Sequence, residues 1–435
     1  MRRIIKIQTR EMTKKIVFLF FILLSLSATA QQRDTLRLSI TKIDKKIVTD
    51  TVYYFSSRVD TIALQPVKAD TSKIVKDINL QDLGESKYKV KFMGSARINA
   101  FYDFAGMKST EGFLPYEIPV GVNNVSGLSS KYIGARQSRL GIEGTANTKV
   151  GKIKTYMEVD FASSTESFWR LRHAYAEWNF VKLGYTWSTF MDNASLPQTV
   201  EFEGPNSSLS KRHGLIRYER KLKTQNIVGI SIESPMADYY NPADTVIKSS
   251  SKQRNFDLAA RYKYFTKRGH IQIAGIFRQI DVYQHGSMEV KYGWGVLLST
   301  TFHLNENNLI NAQYSMGKGI AYYYVGFSGR QLDAVYNPTT GNMNLKSISG
   351  GFINYSYKFN PLWVFSVIGG ISHIQSEDFE PNSTFKSSQY YAASVFYNPI
   401  ETISLGLEAT IGSRKDIDNQ KGNATRISML AKFDF

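Results

Sequence analysis

From Lys89 to Phe435 the chain repeats with a period of two almost everywhere, and this alternation constrains the fold more than any other feature. Ile403, Leu405, Leu407, Ala409 and Ile411 alternate with Ser404, Gly406, Glu408, Thr410 and Gly412. Ile153, Thr155, Met157, Val159 and Phe161 alternate with Lys154, Tyr156, Glu158 and Asp160. Successive side chains of a strand point to opposite faces, so each such segment has one apolar face and one polar or charged face. A sheet made of these strands separates an apolar phase from water.

Sixteen segments of this kind can be marked out: 89–104, 131–147, 151–162, 168–180, 181–190, 213–222, 225–235, 253–267, 269–283, 288–303, 307–318, 348–360, 361–375, 385–397, 400–412 and 423–435. Links after the even segments are tight, as at Lys267-Arg268-Gly269 and Asn360-Pro361, whereas most links after odd segments are long, as at 105–130, 191–212 and 319–347. Alternating short and long links on an even number of strands describe a transmembrane barrel with periplasmic turns and outer loops. A soluble β-sandwich would alternate too, but it has little need for so many aromatics near strand ends. Here there are 26 Tyr and 26 Phe, and Tyr102, Phe104, Tyr185, Trp187, Phe359 and Tyr397 are placed to form outward girdles at the two membrane interfaces. Hydrocarbon tolerates no open sheet edge, so the strands must close on one another. The expected fold class is all-β: a transmembrane antiparallel β-barrel of sixteen strands over residues 89–435.

The N-terminus reads as an address. Lys14-Lys15, the apolar run Ile16–Ala28 and Ala28-Thr29-Ala30 form a signal peptide over residues 1–30, and Ile16–Ala28 is too short to cross a bilayer as a helix. Residues 31–88, rich in Thr, Asp and Lys with no sustained period, are expected to be a periplasmic extension, flexible or locally ordered. The last segment ends at Phe435, and a terminal aromatic on an alternating strand resembles the signal read by the outer-membrane assembly machinery. Together these features place the chain in the outer membrane of a Gram-negative bacterium, with the lipid bilayer as its surroundings.

A barrel of sixteen strands leaves an aqueous lumen, so its chemistry must come from inward side chains. Strand parity sends Arg97, Arg139, Arg170, Arg172 and Arg217 inward, the pore-lining basic set. Arginine stays charged at any relevant pH and can grip a carboxylate or phosphate with two parallel bonds. Several at similar depth would focus a positive potential and favour anions. The link after the fifth strand carries acids, Asp192, Glu201 and Glu203, between Pro197 and Pro205. The same parity turns Arg136, Ser138, His173 and Glu177 outward, a polar patch suited to a seam between neighbouring barrels.

Catalytic and cofactor chemistry finds no purchase. Without cysteine there is no Cys-ligated metal, iron–sulfur cluster or thiol catalysis, and the six scattered His form no metal-binding pair. Gly326-Phe327-Ser328-Gly329-Arg330 falls short of a nucleophile elbow. Of the net charge of +17, five units fall in residues 1–30 and two in 31–88, and the +10 on residues 89–435 is distributed over alternating strands and not gathered beside stacking aromatics, which argues against nucleic acid. No enzyme activity, cofactor or metal is expected.

The order of pieces resembles the general bacterial porins: Gly94 with Arg97, then Arg139-Leu140-Gly141-Ile142-Glu143-Gly144, then Arg172 with Ala174-Tyr175-Ala176, then the acidic link, then Arg217-Tyr218. More specifically, Arg170-Leu171-Arg172-His173-Ala174-Tyr175, Gly184-Tyr185-Thr186-Trp187-Ser188-Thr189-Phe190-Met191-Asp192 and Pro197 with Phe202-Glu203-Gly204-Pro205 look like the DcaP-type trimeric porins. This resemblance implies a homotrimer that passes small hydrophilic, mostly anionic solutes. It also implies a constriction loop after strand 5 that folds inward, with Asp192, Glu201 and Glu203 facing the arginines. Arg212, by parity, falls on the wrong face for the lumen. A channel selective for phosphate or dicarboxylates, and a non-conducting structural or adhesive barrel, are the alternatives.

Overall fold

Alternation becomes a wall when each strand finds two neighbours. In the computed structural model, which describes residues 88–104, 107, 112–121, 129–162, 169–223, 226–241, 252–284 and 287–435, every position in the wall does so, counting β2 and β3 as one. The first part of the wall is β1 (Tyr88–Asp103), β2 (Ser130–Gly134), β3 (Arg139–Thr148), β4 (Gly151–Asp160), β5 (Arg170–Trp178), β6 (Val181–Trp187), β7 (Arg212–Lys223) and β8 (Asn226–Glu233). It continues through β9 (Asp257–Thr266), β10 (Gly269–Gln284), β11 (Ser287–His303) and β12 (Asn308–Lys318). After the small hairpin β13 (Ala334–Asn337) and β14 (Asn342–Leu345), it ends with β15 (Ser347–Lys358), β16 (Trp363–Ile374), β17 (Phe385–Ile400), β18 (Ile403–Asp416) and β19 (Lys421–Asp434).

β2 and β3 occupy one position in the wall. Both pair with β1, from Asn99 opposite Gly134 and from Ser95 opposite Arg139, with Ala135–Ser138 interrupting the ladder between them. All seventeen wall strands therefore make a closed antiparallel barrel of sixteen staves, as expected. The signal peptide and the extension through residue 87 lie outside the described residues.

β1 and β19 close the ring, in register from Ser95 opposite Asp434 to Asp103 opposite Arg426. Two devices hold this seam. Arg426 grips Asp103 with both prongs, at 2.6 and 2.9 Å, and its guanidinium lies 3.8 Å from the Phe101 ring centre. At the other end Gly94 and Phe435 exchange backbone bonds of 3.0 Å, and a Cβ on Gly94 would come within 2.7 Å of the Phe435 ring. Asp103→Ala strands a buried guanidinium, a loss of about 3–5 kcal/mol. We expect a lower unfolding temperature in detergent, seen as loss of heat-modifiable migration, whereas an unchanged temperature would show that the pair does not hold the seam.

The outer face is apolar, with Ile271, Ile273 and Phe277 on β10 and Phe365, Val367 and Ile371 on β16 all exposed. Phe104 and Phe359 stand at strand ends as expected, but Tyr185 and Trp187 do not join them; both line a cavity within the fold.

The interior departs from a simple water-filled tube. The links 188–211 and 319–346 run inside, where Phe190, Met191, Leu209, Tyr323, Tyr324 and Phe327 pack on inward Ala259, Ala274, Ile276 and Leu297. The inner face of β9–β11 carries a patch of small and apolar side chains beside polar ones such as Lys263 and His270, so these loops can bury apolar area against it and still be tied by polar bonds. The inner face of β1 and β3–β7 is charged, and the open space lies there.

Candidate functional site

The acidic link is fastened first on the far wall. Asp192 accepts from Lys263 Nζ and His270 Nε2 at 2.6 Å each and from Ser299 Oγ at 2.8 Å. Burial alone would push its carboxyl up, but His270 and Lys263 hold it well below the usual carboxylate range. Gln313 Nε2 adds bonds to the Asp192 carbonyl (3.0 Å) and to Ser195 Oγ (2.8 Å). Asp192 is therefore an anchor on β9–β11, away from the arginines it was expected to face.

The link then crosses the lumen to β18 and β1. Glu408, fully buried, accepts the backbone N–H of Val200 (3.0 Å) and of Glu201 (3.1 Å). Arg97 and Asn99 donate to the Val200 carbonyl at 2.6 and 3.3 Å. Glu201 is buried too, and its carboxylate accepts the N–H groups of Phe113, Glu203 and Gly204 at 3.0, 2.8 and 2.9 Å. Its role is to shape the loop tip. Of the three acids only Glu203 lines the cavity.

Held this way, the tip aims Phe202 at the basic wall. The guanidinium carbons of Arg97, Arg139, Arg170 and Arg172 lie 5.4, 5.6, 5.8 and 5.8 Å from the centre of its ring. A cation near an aromatic face gains roughly 0.5–1 kcal/mol in exposed settings. Four of the five expected arginines thus converge on one ring. Arg217 is not among them: its Nε donates to Thr189 Oγ1 at 2.7 Å and another nitrogen to the Trp187 carbonyl. It sits five residues further along β7 than Arg212, about 16 Å of strand.

The carboxylates that meet the arginines come from the neighbouring strand. Arg170 holds Asp160 with two bonds, at 2.9 and 2.8 Å, and Arg172 joins Glu158 and Asp160 at 2.7 Å each. Arg97, Arg139 and Arg212 form no ion pair with a carboxylate among the described residues. Arg212 stacks on Trp187, 3.6 Å from the ring centre, and lines the same cavity as Arg139, Arg170 and Arg172 despite its parity.

For the residues of β5 the parity argument fails because the strand carries a bulge. Its register against β4 shifts between Glu158 opposite His173 and Val159 opposite Leu171, leaving Arg172 as the extra residue. Beyond the bulge His173 and Glu177 turn inward: His173 Nδ1 meets Thr186 Oγ1 at 2.9 Å, and Glu177 pairs with Lys182 at 2.5 Å. Ser138 Oγ accepts the Arg97 N–H, and Arg136 lines the cavity. The expected outward polar patch does not form.

The resulting cavity is about 990 Å³, bounded by Phe202, Tyr156, Trp187 and Tyr322 together with Arg136, Arg139, Arg170, Arg172, Lys211 and Arg212. Its lining acids are Glu117, Glu158 and Glu203, so cations outnumber them. Burial, with Glu203 beside it, pushes the Glu201 carboxyl up to about 7 against the pull of Arg426 and the Phe113 N–H, and burial pushes the Lys211 ammonium down to about 8. An acid with a raised pKa favours the folded loop at low pH, and that contribution is lost as pH rises from the ordinary carboxylate range through about 7. As pH falls through these two values, Glu201 loses a negative charge and Lys211 gains a positive one. Any anion preference should therefore rise between pH 9 and pH 6, read as the reversal potential in a KCl gradient, and Glu201→Gln should remove the lower part of the rise. A preference that falls over this range would contradict the assignment.

The comparisons with known proteins agree with the barrel fold. The outer membrane channel DcaP of Acinetobacter baumannii superposes with a TM-score of 0.70 at 22% identity, over 81% of this chain and 99% of that one. An anion-selective porin from Comamonas acidovorans gives 0.55 at 11% identity, over 80% and 100%. The trimer form of OmpT, an outer membrane protein of Vibrio cholerae, gives 0.50 at 10% identity, over 80% and 100%. No sequence among the curated proteins matches. The model of the DcaP outer membrane protein family matches residues 42–435, nearly the whole chain and all of the barrel, and the chain therefore belongs to that family of outer-membrane porins.

Proposed function

We propose that the barrel is a water-filled diffusion channel for small hydrophilic solutes with a preference for anions, and that Arg97, Arg139, Arg170 and Arg172 around Phe202 set that preference. One observation carries the reading: four guanidiniums gather around one ring, and Arg97 and Arg139 form no ion pair with a carboxylate among the described residues. Charges in a low-dielectric passage focus the field and raise the local concentration of the opposite sign. The anion-selective porin among the similar barrels is consistent with this. Single-channel recording in a KCl gradient tests it, since a reversal potential on the cation side would end the reading.

The filled side of the lumen favours a second reading, a channel selective for phosphate or dicarboxylates. Saturable block of the current by one solute would distinguish it from general diffusion. We also propose a homotrimer, supported by the trimer form of a similar barrel and by the short strands β5 and β6, seven to nine residues against 16 and 17 in β10 and β11. Cross-linking in detergent should give a ladder that stops at three, with Phe435 at the closing seam remaining the handle for assembly.

A further inference from the structure

Below the arginine cluster a second chamber opens on the side of the short turns. It measures about 310 Å³, and Lys182, Arg217 and Arg261 lie in its lining, on β6, β7 and β9. Lys182 and Arg217 are direct cross-strand partners. Lys182 is paired with Glu177, and Arg261 with Glu219, so those two charges are answered. Arg217 is 4% exposed, its bonds go to the Thr189 hydroxyl and the Trp187 carbonyl, and the Glu233 carboxylate, which accepts the Thr189 N–H at 2.7 Å, acts on it without touching it. Among the described residues no carboxylate forms an ion pair with it.

None of Glu177, Glu219 and Glu233 lines the chamber, so its lining offers a visiting anion three cations and no carboxylate. At about 310 Å³ the chamber has room for a small oxyanion and several waters, each of which takes about 30 Å³ of liquid volume. Tyr156, His173 and Trp187 line both this chamber and the larger cavity, so the two share one wall of rings.

We propose that Arg217, with Lys182 and Arg261, forms a second binding station for small oxyanions in series with the arginine cluster around Phe202. The proposal rests on the anion-channel reading and adds a separate site to it. Two stations in a line hold an ion firmly enough to admit it and let the next one displace it. The inner station would be reached first from the turn side and the cluster first from the loop side.

The experiment is side-specific block of single-channel chloride current by inorganic phosphate, using the full-length protein in planar bilayers. Wild type should be blocked from either side. Arg217→Gln should weaken block from the turn side by about tenfold and leave block from the loop side nearly unchanged, since it removes a two-pronged partner for the oxyanion. Arg139→Ala should do the reverse. Arg217→Lys, which keeps the charge, should restore part of the turn-side block. If Arg217→Gln leaves turn-side block intact while wild type remains anion-selective, the second station is overturned and the channel reading stands. A cation-selective wild type overturns both. Because Arg217 also braces Thr189, crystals of the wild-type protein soaked in bromide provide a test that needs no variant. An anomalous peak beside Arg217 supports the station, and its absence with a peak at Arg139 present removes it.

Discussion

Replacing Arg139 and Arg172 together by Ala is expected to reverse the proposed anion preference into a cation preference, read as a change of sign in the reversal potential across a KCl gradient. Two positive charges leave the cavity, and the effect exceeds that count. Arg172 joins Glu158 and Asp160 at 2.7 Å each, so its loss uncovers one carboxylate and leaves the other to Arg170 alone. Arg139 forms no ion pair among the described residues, so its loss takes a positive charge from the field and frees no paired carboxylate. Breaking a buried ion pair from one side costs about 3–5 kcal/mol, so the variant should also unfold at lower temperature and must be compared as folded, heat-modifiable protein. The double replacement by Lys is the control. It keeps the charge and loses the two-pronged geometry, and should retain the sign of selectivity. An unchanged reversal potential in the Ala variant would show that these arginines do not govern the passage.

Glu408→Ala is the second large change, and it acts through the loop. The Glu408 carboxylate holds the Val200 and Glu201 N–H groups, and without it two buried donors lose their acceptor at about 1–3 kcal/mol each. The tip that presents Phe202 to four guanidiniums is then held mainly by Arg97 and Asn99 at the Val200 carbonyl. We expect open-channel current that flickers between levels. Phe202→Ala removes the ring and keeps the fastening, so it should give a steady conductance roughly twice that of wild type, since the ring of charges is then filled by water alone. Steady current in Glu408→Ala would show that the tip does not depend on this carboxylate. The two variants together separate a stopper from its latch.

These residues differ in how far the chain alone reveals them. Alternation, the rhythm of short and long links and the terminal Phe are local properties, and they define sixteen staves, their order and the apolar outside. Inward placement of Arg97, Arg139, Arg170 and Arg172 follows from the same period. Glu408 is visible in the sequence as an acid on the polar face of its strand, and Glu158 and Asp160 on the charged face of theirs, but nothing local says what they meet. Phe202 lay between two acids that drew the eye instead.

The chain by itself therefore determined the barrel, because a strand's two faces are set by neighbours two residues apart. The tertiary structure alone decided which charges meet. One extra residue at Arg172 reverses the parity of β5, bringing His173 and Glu177 inside and dissolving the outward patch. Likewise Asp192, Glu201 and Glu203 look alike in sequence, yet one is tied to Lys263 and His270, one is buried under backbone N–H groups, and one reaches the cavity. Their fates depend on partners 71 to 207 residues away, from Lys263 to the Glu408 that holds the Glu201 backbone. Distances of that kind are fixed by barrel closure and loop packing, and no local period encodes them.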